Sequence, residues 1–145
     1  MIKNILLCVL GTIGFSVILN VPRNKAVFVI AGGFLSSVTF ELLFSHTNFG
    51  VFWSTLIAVV FVEIYSEIMA RVLKTPATVI LIPSTVPLLP GGYLYYAMSY
   101  LISGESEKFF LNAKYALLVA FAIAMGSVII LINLNVIRRM KAVLQ

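Results

Sequence analysis

Long apolar runs alternate with short polar breaks along the whole chain. The runs occupy residues 4–21, 26–44, 51–69, 77–103 and 114–136. At about 1.5 Å per helical residue, each approaches or exceeds a hydrocarbon core of about 30 Å. In hydrocarbon every backbone polar group must be satisfied internally, so the runs read as helices. The pattern predicts an all-α integral membrane protein with five transmembrane helices, the fourth broken at a Pro/Gly-rich stretch. Residues 1–145 then form a single membrane domain, because the breaks are too short to hold a soluble one.

The fourth run differs from the others. Residues 82–92 hold three of the five prolines and two of the nine glycines, inside a stretch with no charge from Pro76 to Gly104. Proline has no N–H and clashes with the carbonyl four residues back. A helix through Pro83, Pro87 and Pro90 would strand the carbonyls of Val79, Pro83 and Val86. Such a break is tolerated only within protein or beside water. Residues 77–103 as a straight helix would reach about 40 Å, so the segment is expected to be tilted, unwound or re-entrant.

Small residues mark helix contacts. Gly32/Ser36 and Gly33/Ser37 are small-xxx-small pairs that let neighbouring backbones approach. Ala116, Ala120 and Ala124 repeat every four residues and predict a packing face on the last helix. Phe49, Phe52 and Trp53 look like an aromatic interface anchor. Pro22 is expected to stop the first span.

Composition agrees with a membrane protein: 61% hydrophobic, 10% charged, mean hydropathy +1.10. The net charge of +5 is no nucleic-acid footprint, because the basic residues stand at the ends of apolar runs. Counting Lys and Arg by loop places the N-terminus outside and the C-terminus in the cytoplasm. Lys3 followed by an apolar run suggests a signal peptide, but no small-residue cleavage site follows, so the run is read as a retained helix. The one cysteine, Cys8, excludes an internal disulfide and reads as a small buried side chain.

All five acidic residues are glutamates. Glu63 and Glu67 share a helix face. Glu67 precedes Arg71 by one turn, which reads first as a helix-end ion pair. Glu63 has no cation within a turn. A carboxylate at membrane depth faces a cavity or a partner, the setting of a proton carrier; a protonated glutamate bonded to a neighbouring helix is the plainer account. Glu41 is read as snorkelling and His46 as a loop residue. Tyr93, Tyr96 and Tyr100 share a face, beside Tyr95. They either pack or line a substrate path. Ser84 and Thr85 either cap freed carbonyls or donate to a substrate. No nucleophile–base pair, phosphate loop, metal constellation or cofactor motif appears, and nothing supports an enzyme.

The stretch Pro83-Ser84-Thr85-Val86-Pro87-Leu88-Leu89-Pro90-Gly91-Gly92 resembles the P-G-x-x-P-L-x-P-G signature of the threonine/serine exporter family. The run from Gly14 through Asn20, Val21, Pro22 and Arg23, the Gly32-Gly33 pair and the E-x-x-A-R stretch ending at Arg71 are similar to that family too. Ser84 stands where the family usually has glycine. The resemblance implies the small subunit of a split exporter, working with a larger membrane subunit in a bacterial inner membrane. It implies proton-coupled export of threonine and serine, or of dicarboxylates such as succinate, without a cofactor. On that resemblance Pro83, Ser84, Thr85, Pro87, Pro90, Gly91, Gly92, Tyr93 and Tyr96 would face substrate. Glu63 and Glu67 would serve proton coupling. A membrane scaffold and a passive pore are the competing readings, and association with further copies is open.

Overall fold

The computed structural model describes residues 2–46 and 50–143, with side chains described over 3–46 and 50–133. Six helices follow one another: α1 (Ile2–Ile18), α2 (Arg23–His46), α3 (Val51–Val72), α4 (Thr78–Thr85), α5 (Gly91–Ile102) and α6 (Ser106–Val143). A 3-10 turn, Val86–Leu88, continues α4. The helical class expected from the apolar runs is observed.

Three helix ends share one device. Asn20 (φ 53°), Lys74 (φ 50°) and Gly104 (φ 74°) take left-handed backbone. The next residue's N–H then reaches back five positions: Val21 to Ser16, Thr75 to Ala70 and Glu105 to Tyr100, at 2.9, 3.0 and 2.9 Å. This is the Schellman closure, which satisfies carbonyls that a helix end would otherwise orphan. Asn20, rather than Pro22, therefore ends the first helix, and it does so at Ile18. Pro22 instead opens α2, its carbonyl accepting the N–H groups of Lys25 and Ala26 at 2.8 and 3.1 Å.

Arg23–His46, Val51–Val72 and Ser106–Asn133 are long and apolar enough to cross a membrane. The pair Thr78–Leu88 and Gly91–Ile102, bent by 48°, makes a fourth candidate crossing. Helix α1 is apolar but shorter. Length and composition thus support three to four crossings, and the fifth expected span, α1, falls short of that length. Helix α6 begins at Ser106, not near residue 114 as predicted, and takes in the polar stretch around Glu107 and Lys108. Its 38 residues measure about 57 Å, well beyond the hydrocarbon core.

Helix α3 is central and packs on α2, α4 and α6. Ala58, Val59 and Val62 are fully buried, as is Val29 of α2. The Gly/Ser stripe of α2 is divided between two neighbours. A Cβ at Gly33 would lie 2.7 Å from Thr12 Cγ2 of α1; one at Gly32 would lie 3.0 Å from Tyr65 Cε1 of α3 and closer still to Ser84 of α4. Gly126 plays the same part for α6, where a Cβ would meet Val59 Cγ1 at 2.9 Å. Ala116 is buried, but Ala120 and Ala124 are exposed. The predicted alanine face is therefore not the packing face, which runs through Ala116, Val119, Ala122 and Gly126. Phe52 stacks on Phe121 of α6 at 6.3 Å and meets Trp53 edge-on. Phe49 of the expected aromatic anchor, and Thr47 and Asn48 of the expected loop, lie outside the described residues.

Candidate functional site

The break is built residue by residue. Pro83 sits inside α4, and Pro87 tightens the backbone into the 3-10 turn. Leu89 is extended (ψ 141°), as the residue before Pro90 must be. Pro90 then caps α5, which starts at Gly91.

Much of the freed backbone is satisfied locally. The Leu89 N–H donates to Val86 at 3.1 Å and the Gly91 N–H to Leu89 at 2.8 Å. Thr85 Oγ1 donates to the Ile82 carbonyl at 2.9 Å. Ser84 Oγ donates to the Val29 carbonyl at 3.1 Å, and the Ser84 carbonyl receives Ser36 Oγ of α2 at 3.0 Å. The N-terminus of α5 is different, because no side chain caps it. The N–H groups of Gly92 and Tyr93 have no acceptor within their own helix.

That helix start opens on a cavity of about 290 Å³. Pro87, Pro90, Gly92, Tyr93 and Tyr96 line it, from the predicted set. Leu88, Leu89 and Val119 add apolar wall, and Phe40 of α2, Thr55 of α3 and Asn112 of α6 line it too, three residues that sequence reasoning had not singled out. Asn112 stands at the edge of a polar break and Thr55 inside an apolar run, so neither carried a signal of its own. Tyr93 is held against Tyr115 of α6 at 5.5 Å, and Tyr96 stacks on Tyr100 at 6.4 Å. Lys108 lies 5.3 Å over the Tyr100 ring and 2.5 Å from Glu105.

The other predicted residues lie elsewhere. Pro83 and Ser84 are fully buried at the α2–α4 contact. Thr85 and Gly91 belong to the break but do not line the cavity. Glu63 and Glu67 are on α3, two and three turns beyond Thr55. Glu63 is only 6% exposed and accepts a hydrogen bond from Ser127 of α6, while Glu67 lies 3.7 Å from Arg71. Ser66, one turn from Glu63, is buried with no hydrogen-bond partner for its hydroxyl. Among the described residues no three His, Cys, Asp or Glu side chains come together as a metal site would need.

The site is thus a mainly apolar hollow, edged by hydroxyl and amide groups, at the uncapped start of a half-helix. Half-helix ends of this kind hold anionic substrate groups in secondary transporters. No curated protein and no solved structure matches the chain. The sequence model of one protein family, described as Threonine/Serine exporter, ThrE, matches residues 4–132, almost the whole length. On that match, the chain belongs to the threonine/serine exporter family.

Proposed function

We propose that this protein is the small subunit of a secondary transporter that exports threonine- and serine-type amino acids. The observation that carries the reading is the cavity at the α4–α5 break, with the Gly92 and Tyr93 N–H groups at an uncapped helix start. Those donors and the helix dipole suit a substrate carboxylate. The hydroxyls of Tyr93 and Tyr96 and the Asn112 side chain suit its polar remainder. No Lys or Arg lines the cavity, which favours a zwitterion over a dicarboxylate.

Export is proton-coupled in this reading, with Glu63 as carrier and Glu67 at its exit. Support comes from the placing of Glu63, buried between α3 and α6 with a hydroxyl partner. A larger subunit of the same family supplies the rest of the path. The chain is a single domain of five spans in a bacterial inner membrane, with α1 the shortest. Its N-terminus lies outside and its C-terminus in the cytoplasm.

Efflux from cells loaded with labelled threonine, serine or succinate tests the proposal, with the chain expressed alone and with a candidate larger subunit. Threonine efflux that needs both chains and collapses with the proton gradient is the expected result. Gradient-independent leak would mean a pore, succinate efflux alone a dicarboxylate carrier, and no efflux under any pairing a scaffold.

A further inference from the structure

Hydroxyls on α1, α2 and α3 follow one habit. Those of Thr12, Ser16, Ser37, Thr39 and Thr55 each give their proton to the carbonyl four residues back, at 2.6 to 3.0 Å. Ser66 of α3 does not. It is 1% exposed, and its Oγ is the one buried side-chain polar atom among the described residues with no hydrogen-bond partner. A hydroxyl held so in the interior carries the full desolvation cost, and bound water is the usual remedy. Ser66 stands three residues after Glu63 and seven after Val59, with Ala70 four further on. These positions form one buried stripe of α3, and the stripe faces α6: Val59 packs on Gly126, and Glu63 accepts a hydrogen bond from Ser127. Side chains one turn apart have Cβ atoms about 5–6 Å from each other. The Ser66 hydroxyl and the Glu63 carboxyl do not bond directly, and a single water bridges such a spacing. Ser127 bonds Oε1 of Glu63 and leaves Oε2 for a further partner. Hydroxyl and carboxyl are the two polar partners that a buried water needs. A hard divalent cation takes more oxygen ligands than one carboxylate and two hydroxyls supply.

We propose that Ser66 and Glu63 hold one water molecule between them at the α3–α6 contact, and that this water takes the proton from Glu63. The second half rests on the proton-coupled reading above and deepens it. The transfer breaks the carboxyl O–H of Glu63 and makes a new O–H on the water, while one of the water's own protons leaves on the Ser66 side. No electron moves, and Glu63 returns to the carboxylate. Ser66 lies between Glu63 and Glu67, which is 3.7 Å from Arg71 at the end of α3, so the proton leaves away from the cavity that Thr55 lines. Ser66 touches the water and not the transported solute; it is a positioning residue.

The experiment takes infrared difference spectra, between acid and alkaline buffer, of the full chain in lipid nanodiscs. Glu63→Gln identifies the Glu63 carboxyl C=O band by its loss. The probe is water labelled with heavy oxygen. In the unsubstituted chain, a water O–H band that accompanies the Glu63 band shifts with the label. Ser66→Ala removes that water band and moves the Glu63 C=O band to higher wavenumber, because the carboxyl loses a hydrogen bond. Ser66→Thr keeps the hydroxyl and both bands. Ser66→Ala also lowers the unfolding temperature, whereas removing a hydroxyl with no partner at all would hold or raise it. In cells that express the chain with its larger subunit, Ser66→Ala cuts gradient-driven threonine efflux about tenfold or more while exchange persists, and Ser66→Thr restores it.

No label-dependent shift in the unsubstituted chain, an unmoved Glu63 band or a raised unfolding temperature in Ser66→Ala, or a water band that changes when sodium replaces choline overturns the water site. The labelling of the unsubstituted chain stays decisive even where Ser66→Ala misfolds. Undiminished gradient-driven efflux in Ser66→Ala overturns the relay. The spectra as described, without any threonine efflux by the unsubstituted pair, sink the exporter reading and leave the water site.

Discussion

Gly32 on α2 and Ser84 on α4 are packed so closely that a methyl group on Gly32 would lie 2.9 Å from Ser84 Cβ. Their approach seats the broken helix against α2 and holds the start of the break in place. It also lets two hydroxyls cross the interface, Ser84 to the Val29 carbonyl and Ser36 to the Ser84 carbonyl.

Gly32→Ala is expected to destabilise the fold by about 1–3 kcal/mol, because the new methyl meets Ser84 and Tyr65 in a packed interior. Gly11→Ala and Gly14→Ala, with nothing within 4 Å, serve as controls and should hold or raise stability. Thermal unfolding in detergent compares the three.

Ser36→Ala removes a hydroxyl whose one proton is shared between the Gly33 carbonyl of its own helix, at 2.9 Å, and the buried Ser84 carbonyl beside the break, at 3.0 Å. The expected cost is about 1 kcal/mol, at the upper end for interhelical bonds in membranes. Ser103→Ala, where the exposed hydroxyl bonds within its own helix, should cost less. A larger loss in Ser103→Ala would contradict the role given to Ser36.

Gly92 lines the α5 cavity, and a Cβ there meets nothing within 4 Å. Gly92→Leu should therefore keep or slightly raise stability, by up to about 1 kcal/mol as a helix position loses its glycine. The same side chain fills the hollow, so threonine efflux should fall at least about tenfold. Full efflux in a stable Gly92→Leu protein would place the substrate path elsewhere.

Glu63→Gln keeps an acceptor for Ser127 and so should leave the unfolding temperature close to wild type. It removes the carboxyl that would carry the proton between α3 and α6. Gradient-driven efflux should drop while exchange of labelled for unlabelled threonine persists. Wild-type gradient-driven efflux in this variant would remove Glu63 from the coupling path.

Lys74 holds left-handed backbone at the end of α3. That conformation costs an L-residue about 1–2 kcal/mol and costs glycine nothing. Lys74→Gly should raise the unfolding temperature despite the entropy glycine adds to the unfolded chain. Gly104→Ala, at φ 74°, should lower it.

Much of this was legible along the chain. Run length and hydropathy predicted helices, and Pro83, Pro87, Pro90 and Gly91 marked the break where it occurs. These are local effects: a missing N–H or a restricted φ acts on its own turn whatever the surroundings. The helix ends were less legible, because prolines and charges drew attention while left-handed Asn20 and Lys74 did the closing.

The faces were not legible. Ala120 and Ala124 repeat as regularly as the buried positions of α6, yet they point away from the bundle. Ser84 and Gly92 belong to one short signature, yet Ser84 is buried against α2 while Gly92 opens on the cavity. Thr55 and Asn112 meet at one cavity, and Asn4 and Glu41 at another, only when α1, α2, α3 and α6 close around the turn. In water an amphipathic stripe shows which side of a helix packs, but lipid is as apolar as the bundle interior and that contrast disappears. The sequence by itself therefore determined that the chain is helical and membrane-embedded, and where its fourth run breaks. Only close steric fit between helices, at Gly32 on Ser84, Gly33 on Thr12 and Gly126 on Val59, decided which groups that break faces.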